Sequence, residues 1–515
     1  MMPYLLQLSN EILYTILECL SDLDQPSLFP ICLVNKRLCA IAKPLLVRRW
    51  PANPNSQSAN LGLFALKLLR QPALRRHVRE LVISDSDREY VDLGPDERND
   101  LAAAVPESFS ILGEATNFPE QIKLGTRDAI VGLVLSWTVN LTKLDLTVPY
   151  TDNRDSEDCT ALLWISEAVR QVQNQPHGVL NCSLPLSNLR WVRYREWGTG
   201  YISKARHAVP LFHLPNVKTF YHSQPYWPLQ EWGQAFYEGG SPIDEVQLFM
   251  GSPNYSVASP SYGPESPIFE VQDEEELAVD GETTPVLSRE RYQLGFPRGT
   301  SSIEELVIED TNMMSADFIF FLQACRRLKS LSMSFSPTGF PQQLTSQECA
   351  EIIMQHAESL ESLRFDTRHC MMINPVGGSP EPGVRLEECF QHLSRLKYLH
   401  TSIRHLYTEH CGYAGGGKDA FVKLPASIEH LKLGGDTARS PGEDFILDPE
   451  RWSYRCYLVE VMEGLVCKCG ADNLYPLLKT IDISDVMTEH DIGPSKALKL
   501  LAEEKGINLV LALPP

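Results

Sequence analysis

The chain has 515 residues, 43% hydrophobic and 22% charged, ordinary globular values that exclude wholesale disorder. Its length is too great for one compact core and suggests about three domain-sized units, or one elongated array. With 66 acidic against 46 basic residues the net charge is −20, which excludes a general nucleic-acid binder and disfavours anionic membranes, since both require clustered Lys and Arg.

Met1-Met2-Pro3-Tyr4-Leu5 carries no basic run and Glu11 interrupts the apolar stretch, so no secretory signal is expected. No apolar run reaches the ~20 residues of a membrane helix. The 13 cysteines are odd in number and scattered, and read as reduced thiols. These features predict a protein of the cytoplasm, the nucleus or both.

Ser9 is a good helix N-cap, with Glu11 in the first turn to complement the dipole and Leu8 placed to staple onto Leu13. Ile12, Ile16 and Leu20, with Leu13 and Leu17 beside them, predict one broad apolar face. Asp22-Leu23-Asp24-Gln25-Pro26 ends that helix. Leu28, Ile31, Cys32, Val34, Leu38 and Ile41 make a second apolar stripe, with a stop at Pro44. A unit this small is expected to leave apolar surface for a partner.

These first 50 residues resemble an F-box. Leu8-Ser9-Asn10-Glu11-Ile12-Leu13, Asp22-Leu23, Leu33-Val34-Asn35-Lys36-Arg37-Leu38, Pro44-Leu45-Leu46 and Trp50 stand in the order of that family's pattern. Ser9 departs from it, replacing the usual proline. The resemblance implies docking on a Skp-type adaptor, with Leu8, Ile12, Leu13, Ile16, Leu17, Leu33, Val34 and Leu38 as contacts, some of which also fill the module's own core.

Downstream a phrase recurs, apolar-x-x-apolar-x-apolar, often led by a polar turn. It reads Val78 to Ile83, Leu141 to Leu146, Ile303 to Ile308, Leu328 to Met333, Leu360 to Phe365, Ile428 to Leu433 and Leu478 to Ile483. Looser copies run Leu189 to Tyr194, Val217 to His222, Ile243 to Phe249 and Leu396 to Ser402. Period-two alternation predicts short strands with one buried face. Helical patterns over 316–327, 346–358 and 386–392 lie between them. Strand alternating with helix resembles a leucine-rich repeat array, although the asparagine that normally follows the strand is mostly missing and the spacing is irregular. The expected fold class is therefore α/β, a short N-terminal helical F-box followed by an irregular leucine-rich-repeat-like solenoid. The insert composition and proline usage resemble F-box proteins of fungal type.

Residues 251–299 break the pattern. Ser252-Pro253, Ser259-Pro260, Ser266-Pro267 and Thr284-Pro285 accompany nine acids and three arginines, which predicts a disordered acidic insert with sites for proline-directed kinases. The domain reading is thus 1–50 F-box-like, 51–250 first repeat region, 251–299 insert, and 300–515 second repeat region. Smaller irregular inserts are expected at 85–119 and 366–385.

Catalytic signals are missing. Gly412 to Lys418 imitates a phosphate loop, but Asp419 replaces the hydroxyl that would hold magnesium, and the lead-in is polar. Cys467-x-Cys469 is too tight for a zinc knuckle, and Cys456 and Cys411 supply no second pair, so buried thiols are expected. No catalytic residue, metal ligand or cofactor is assigned and no enzyme is expected. The two resemblances together imply the substrate receptor of a cullin–RING ubiquitin ligase with an unknown protein target, or alternatively a non-degradative scaffold. On the polar face of the strands Trp191, Arg193, Tyr221, Arg364, Tyr398, His400, His430 and Lys432 are the candidate target contacts, because aromatic and arginine residues carry much interface energy.

Overall fold

The computed structural model describes residues 7–51, 60–83, 90–105, 118–149, 186–197, 208–223, 295–311, 315–335, 346–366, 386–402, 423–434, 459–469, 474–485 and 494–512, with 161, 164–166, 169 and 406 singly. The chain divides into a unit of 1–225 with 292–515 and a second of 226–291. All the described residues belong to the first.

Three helices open it: α1 (Asn10–Asp24), α2 (Leu28–Val34) and α3 (Lys36–Leu45). Ser9 caps α1 as predicted, its hydroxyl accepting from Ile12 N at 3.4 Å. Asn35 divides the predicted second stripe into two helices, because its carboxamide accepts from Arg37 N at 2.7 Å and starts α3 afresh. Pro44 does not stop the helix but lies inside its last turn. Arg37 ties the starts of α3 and α1 together, donating to Asn10 Oδ1 at 2.8 Å and to the Leu8 carbonyl at 2.7 Å. Leu17, Leu28, Ala42 and Leu45 form a small core of their own, separate from the main one. Gln25, buried, donates to the carbonyls of Leu46 and Arg49 and so joins the helices to the first strand.

Beyond them, the described residues form one parallel sheet of twelve strands in sequence order, from β1 to β12, with helices between several of the strands. They are β1 (Arg49–Trp50), β2 (Glu80–Ile83), β3 (Lys143–Pro149), β4 (Trp191–Trp197), β5 (Thr219–Ser223), β6 (Glu305–Thr311), β7 (Ser330–Phe335), β8 (Ser362–Asp366), β9 (Tyr398–Ser402), β10 (His430–Gly434), β11 (Thr480–Asp482) and β12 (Asn508–Val510). Every recurring phrase becomes a strand except Ile243 to Phe249, which lies outside the described residues. Leu81, Leu144, Val192, Phe220, Leu306, Leu331, Leu363, Leu399, Leu431 and Ile481 align across the ladder and are buried in a continuous core with the intervening helices. The predicted helices appear as Ser315–Ala324, Ser346–Met354 and Leu386–Cys389. The expected irregular insert at 85–119 instead contains the helix Pro95–Ala103, started by Pro95 and by Glu97, which accepts from Gly94 N at 3.3 Å. Phe296, expected within the disordered insert, packs on Phe212, Phe320 and Phe321.

Register is set by two repeating devices. At each crossover from β1–β2 to β10–β11 two successive N–H groups share the carbonyl just before the preceding strand, from Arg79 and Glu80 on Arg48 O through to Lys479 and Thr480 on Glu429 O. One residue before the phrase a side chain reaches back to the preceding repeat. Asn188 donates to Val139 O, Asn216 to Ser187 O, Ser302 to Val217 O, Ser359 to Leu328 O and Ser427 to Leu396 O. The asparagine missing after the strand thus has its counterpart before it, satisfying carbonyls that a helix or sheet would otherwise pair.

A third regularity is electrostatic. Lys218, Glu304, Lys329, Glu361, Lys397, Glu429 and Lys479 occupy one position on successive repeats with alternating sign. Glu304 sits between Lys218 at 2.7 Å and Lys329 at 2.5 Å; Lys397 meets Glu361 at 3.0 Å and Lys479 meets Glu429 at 2.5 Å. Hydrogen bonds from Lys218 and Lys329 lower the Glu304 pKa to about 2. The folded carboxylate is favoured, so its stabilisation is complete above its ordinary value of 4.5 and is lost as pH falls toward 2. The pairs are exposed to solvent, and Glu304→Gln is expected to cost under about 1 kcal/mol, shrinking as salt is raised. Denaturant unfolding of the variant at low and high salt checks this.

Candidate functional site

Two surfaces collect the residues singled out by sequence. The first lies on α1–α3, where packing divides the predicted adaptor contacts. Leu13, Leu17 and Leu38 are buried and present no surface to a partner. Their spacing places them on the inner face of the helices, and a broad apolar stripe on α1 does not distinguish that face from its flank. Ile12 and Ile16, one turn apart on α1, are 49% and 42% exposed, while Leu33 and Val34 at the end of α2 are 88% and 50% exposed. Leu8 is half-buried, and its carbonyl is the one that Arg37 grips. Leu23 and Phe29, not predicted as contacts, are exposed as well; both lie off the buried spacing of Leu13, Leu17 and Leu28, the signal that could have found them. Exposed apolar side chains so concentrated within 25 residues are what a docking surface requires.

The second surface is the sheet face opposite the core. On β4 and β5 the register sets Trp191 beside Thr219 and Arg193 beside Tyr221. The rings of Trp191 and Tyr221 lie 5.3 Å apart, and the Arg193 guanidinium is 5.8 Å and 5.5 Å from their centroids. All three predicted residues are therefore one cluster, a cation held over two π-faces. Burial, reinforced by the Glu305 carboxylate, pushes the Tyr221 phenol up, keeping it a neutral donor. Beside it Asp145 accepts from Arg195 at 2.6 Å, and Glu80 lies between Arg49 at 2.8 Å and Lys143 at 3.5 Å. Burial raises the Glu80 carboxyl, but the Arg49 hydrogen bond and the charges of Arg49 and Lys143 outweigh it and hold the group below its ordinary value. These acids escape sequence reasoning because their partners stand 31 to 63 residues away along the chain.

The other five candidates form a second group on β8–β10, separated from the first by β6 and β7. Arg364, His400 and Lys432 are register neighbours, as are Tyr398 and His430, at about 4.8 Å per strand. Lys432 reaches Asp482 at 3.5 Å and Asp485 at 3.4 Å. His400, expected on a solvated face, is buried, and its Nε2 lies 3.3 Å from where a Cβ on Gly434 would stand. A side chain at 434 would press on that ring, which would have to give by a few tenths of an ångström.

The phosphate-loop imitation at 412–419, Cys411 and Cys456 lie outside the described residues. Cys469 is buried, its thiol donating to Leu465 O at 3.2 Å, and burial pushes it up to about 12; Cys467, expected to be buried, is exposed. Among the described residues no three His, Cys, Asp or Glu side chains gather as metal ligands, and no helix is long and apolar enough to cross a membrane. No known family model matches this chain, and no curated protein matches it significantly.

Proposed function

We propose that this chain is a recruiter. In this reading α1–α3 act as an F-box-like module that docks on a Skp-type adaptor of a cullin–RING ligase, and the open face of a leucine-rich-repeat-like sheet holds a protein target. The chain performs no bond chemistry. Its contribution is proximity, turning an encounter between a ubiquitin-loaded enzyme and the target into a nearly intramolecular reaction. The compartment of that machinery, cytoplasm or nucleus, is part of the proposal.

The observation that carries it is the division of labour within α1–α3. Leu17, Leu28, Ala42 and Leu45 give the helices a core of their own, and Ile12, Ile16, Leu33 and Val34 remain outside it. A helical cap serving only to cover the end of a repeat sheet has no need for an apolar row directed away from that sheet's core.

The test is capture of purified adaptor by the full-length chain and by an Ile12→Asp, Ile16→Asp double variant. Both positions are exposed, so the variant is expected to keep its circular dichroism spectrum and unfolding midpoint. Two unpaired carboxylates in an apolar interface are expected to weaken capture by about 4 kcal/mol or more, roughly a thousandfold. Undiminished capture by the double variant, or no capture by the wild type, overturns the docking reading. Ubiquitin transfer to a co-captured protein separates a ligase receptor from a non-degradative scaffold.

A further inference from the structure

Among the described residues, the cations of the open sheet face are satisfied within the face, with one exception. Arg49 and Lys143 share Glu80, Arg195 holds Asp145, Lys432 meets Asp482 and Asp485, and Arg193 lies over Trp191 and Tyr221. Arg364, at the centre of β8, makes no hydrogen bond or ion pair among the described residues. It is half-buried, and its Nε is sealed from solvent without an acceptor. A guanidinium partly removed from water and left unpaired is costly, the more conspicuous in a chain of net charge −20 that has acids to spare.

Its neighbours are donors as well. The register sets Ser332 directly beside Arg364, and Ser330, Ser362 and Tyr398 in the adjoining row. None of these four hydroxyls makes a side-chain hydrogen bond among the described residues. Asp366 stands one pleat further along, opposite Ser334, and the five donors occupy the two rows before it. One planar guanidinium fork and four hydroxyls are gathered across three strands. The carboxylates that share their rows are engaged elsewhere, Glu305 beside Ser330 accepting from Thr219 at 3.0 Å and Asp482 on β11 meeting Lys432 at 3.5 Å. The cluster therefore matches a ligand made of acceptor oxygens around a negative charge.

We propose that this cluster binds an oxyanion, the carboxylate or phosphate ester of an acidic side chain on the protein target. The inference rests on the reading of this face as the target-holding surface and names the chemistry that the surface selects. Arg364 supplies the paired N–H donors that fit two oxygens of one group. Ser330, Ser332, Ser362 and Tyr398 orient that group from the two adjoining strands and from β8 itself.

The experiment uses the full-length chain on immobilised degenerate peptide pools whose central residue is fixed as serine, glutamate or phosphoserine. The wild type is expected to be retained on an acidic pool over the serine pool. Arg364→Gln is expected to bind that pool about ten- to a hundred-fold more weakly, with Arg364→Lys between the two, because a point charge replaces the fork. Retention on both acidic pools assigns a carboxylate site, and retention on phosphoserine alone assigns a phosphate-ester site. Equal retention on all three pools, retention on none, or undiminished binding by Arg364→Gln overturns the inference. Adaptor capture by the same wild-type preparation is measured in parallel. Capture without acidic-pool selectivity removes this inference alone, whereas selectivity without capture removes the recruiter reading and leaves an anion-selective repeat surface.

Discussion

Leu17→Asp is expected to unfold the N-terminal helices while leaving the sheet intact. Leu17 is one of four residues in the small core that α1–α3 build for themselves, with Leu20, Ile31, Cys32, Ile41 and Leu46 packed around it. A carboxylate there has no partner and no water, and the cost of burying one is about 3–5 kcal/mol, as large as the whole stability expected of so small a module. The measurement is native-state hydrogen exchange. Amides of residues 10–45 should exchange at rates near those of an open chain, while β6–β9, whose Leu306, Leu331, Leu363 and Leu399 lie in the separate main core, retain protection. Loss of protection in both regions would mean that the two cores unfold as one. Adaptor capture should fail in this variant too, but through loss of the docking module's fold. That is why Ile12→Asp, Ile16→Asp is the informative pair: the same helix, one face over, where a carboxylate meets water.

Acid is expected to destabilise the sheet through His222. This imidazole takes a position on β5 whose register neighbours, Tyr194 on β4 and Ile308 on β6, are core residues, and it stacks on Tyr194 at 5.6 Å and meets Phe321 edge-on at 5.7 Å. Burial pushes its pKa from 6.5 down to about 3. The folded state therefore binds its proton less readily than the unfolded chain. Stability is unaffected above the unfolded value and falls as pH drops through the window from about 6.5 to 3, by about 1.4 kcal/mol per unit. Between pH 6.5 and pH 5 the loss is about 2 kcal/mol. His356, whose imidazole is lowered by burial against the opposing effect of its bond to Leu322 O at 3.0 Å, acts in the same direction. His222→Phe keeps the aromatic packing and removes the proton. Denaturant unfolding at pH 7 and pH 5 should show a shallower acid limb for the variant, and an unchanged limb would mean that His222 is protonated in the native state.

Local pattern was legible wherever the physics is local. The hydroxyl of Ser9 finds the Ile12 amide within one turn, and the period-two phrases place Leu331 and Met333 on one side of a strand and Ser330 and Ser332 on the other, since successive side chains of an extended chain alternate. The gathering of Trp191, Arg193 and Tyr221 was half legible: residue type marked them as anchors, but only the register of β4 on β5 brings the rings to 5.3 Å. Where apolar residues crowd a helix, pattern alone failed. Ile12, Leu13, Ile16 and Leu17 are equally hydrophobic, and which pair faces inward depends on where α2 and α3 come to rest.

The alternation of strand and helix, the buried leucine column and the helical start could be read from the chain alone, because backbone geometry and the aversion of apolar groups to water act over a few residues. What remained was settled by packing: the alternating Lys–Glu row from Lys218 to Lys479, the burial of His222 between core residues and of His400 between Arg364 and Lys432, and the unpaired guanidinium of Arg364 beside hydroxyls. Each of these depends on which residues of distant segments share a register position, and partners that stand 24 residues or more apart along the chain leave that pairing to packing.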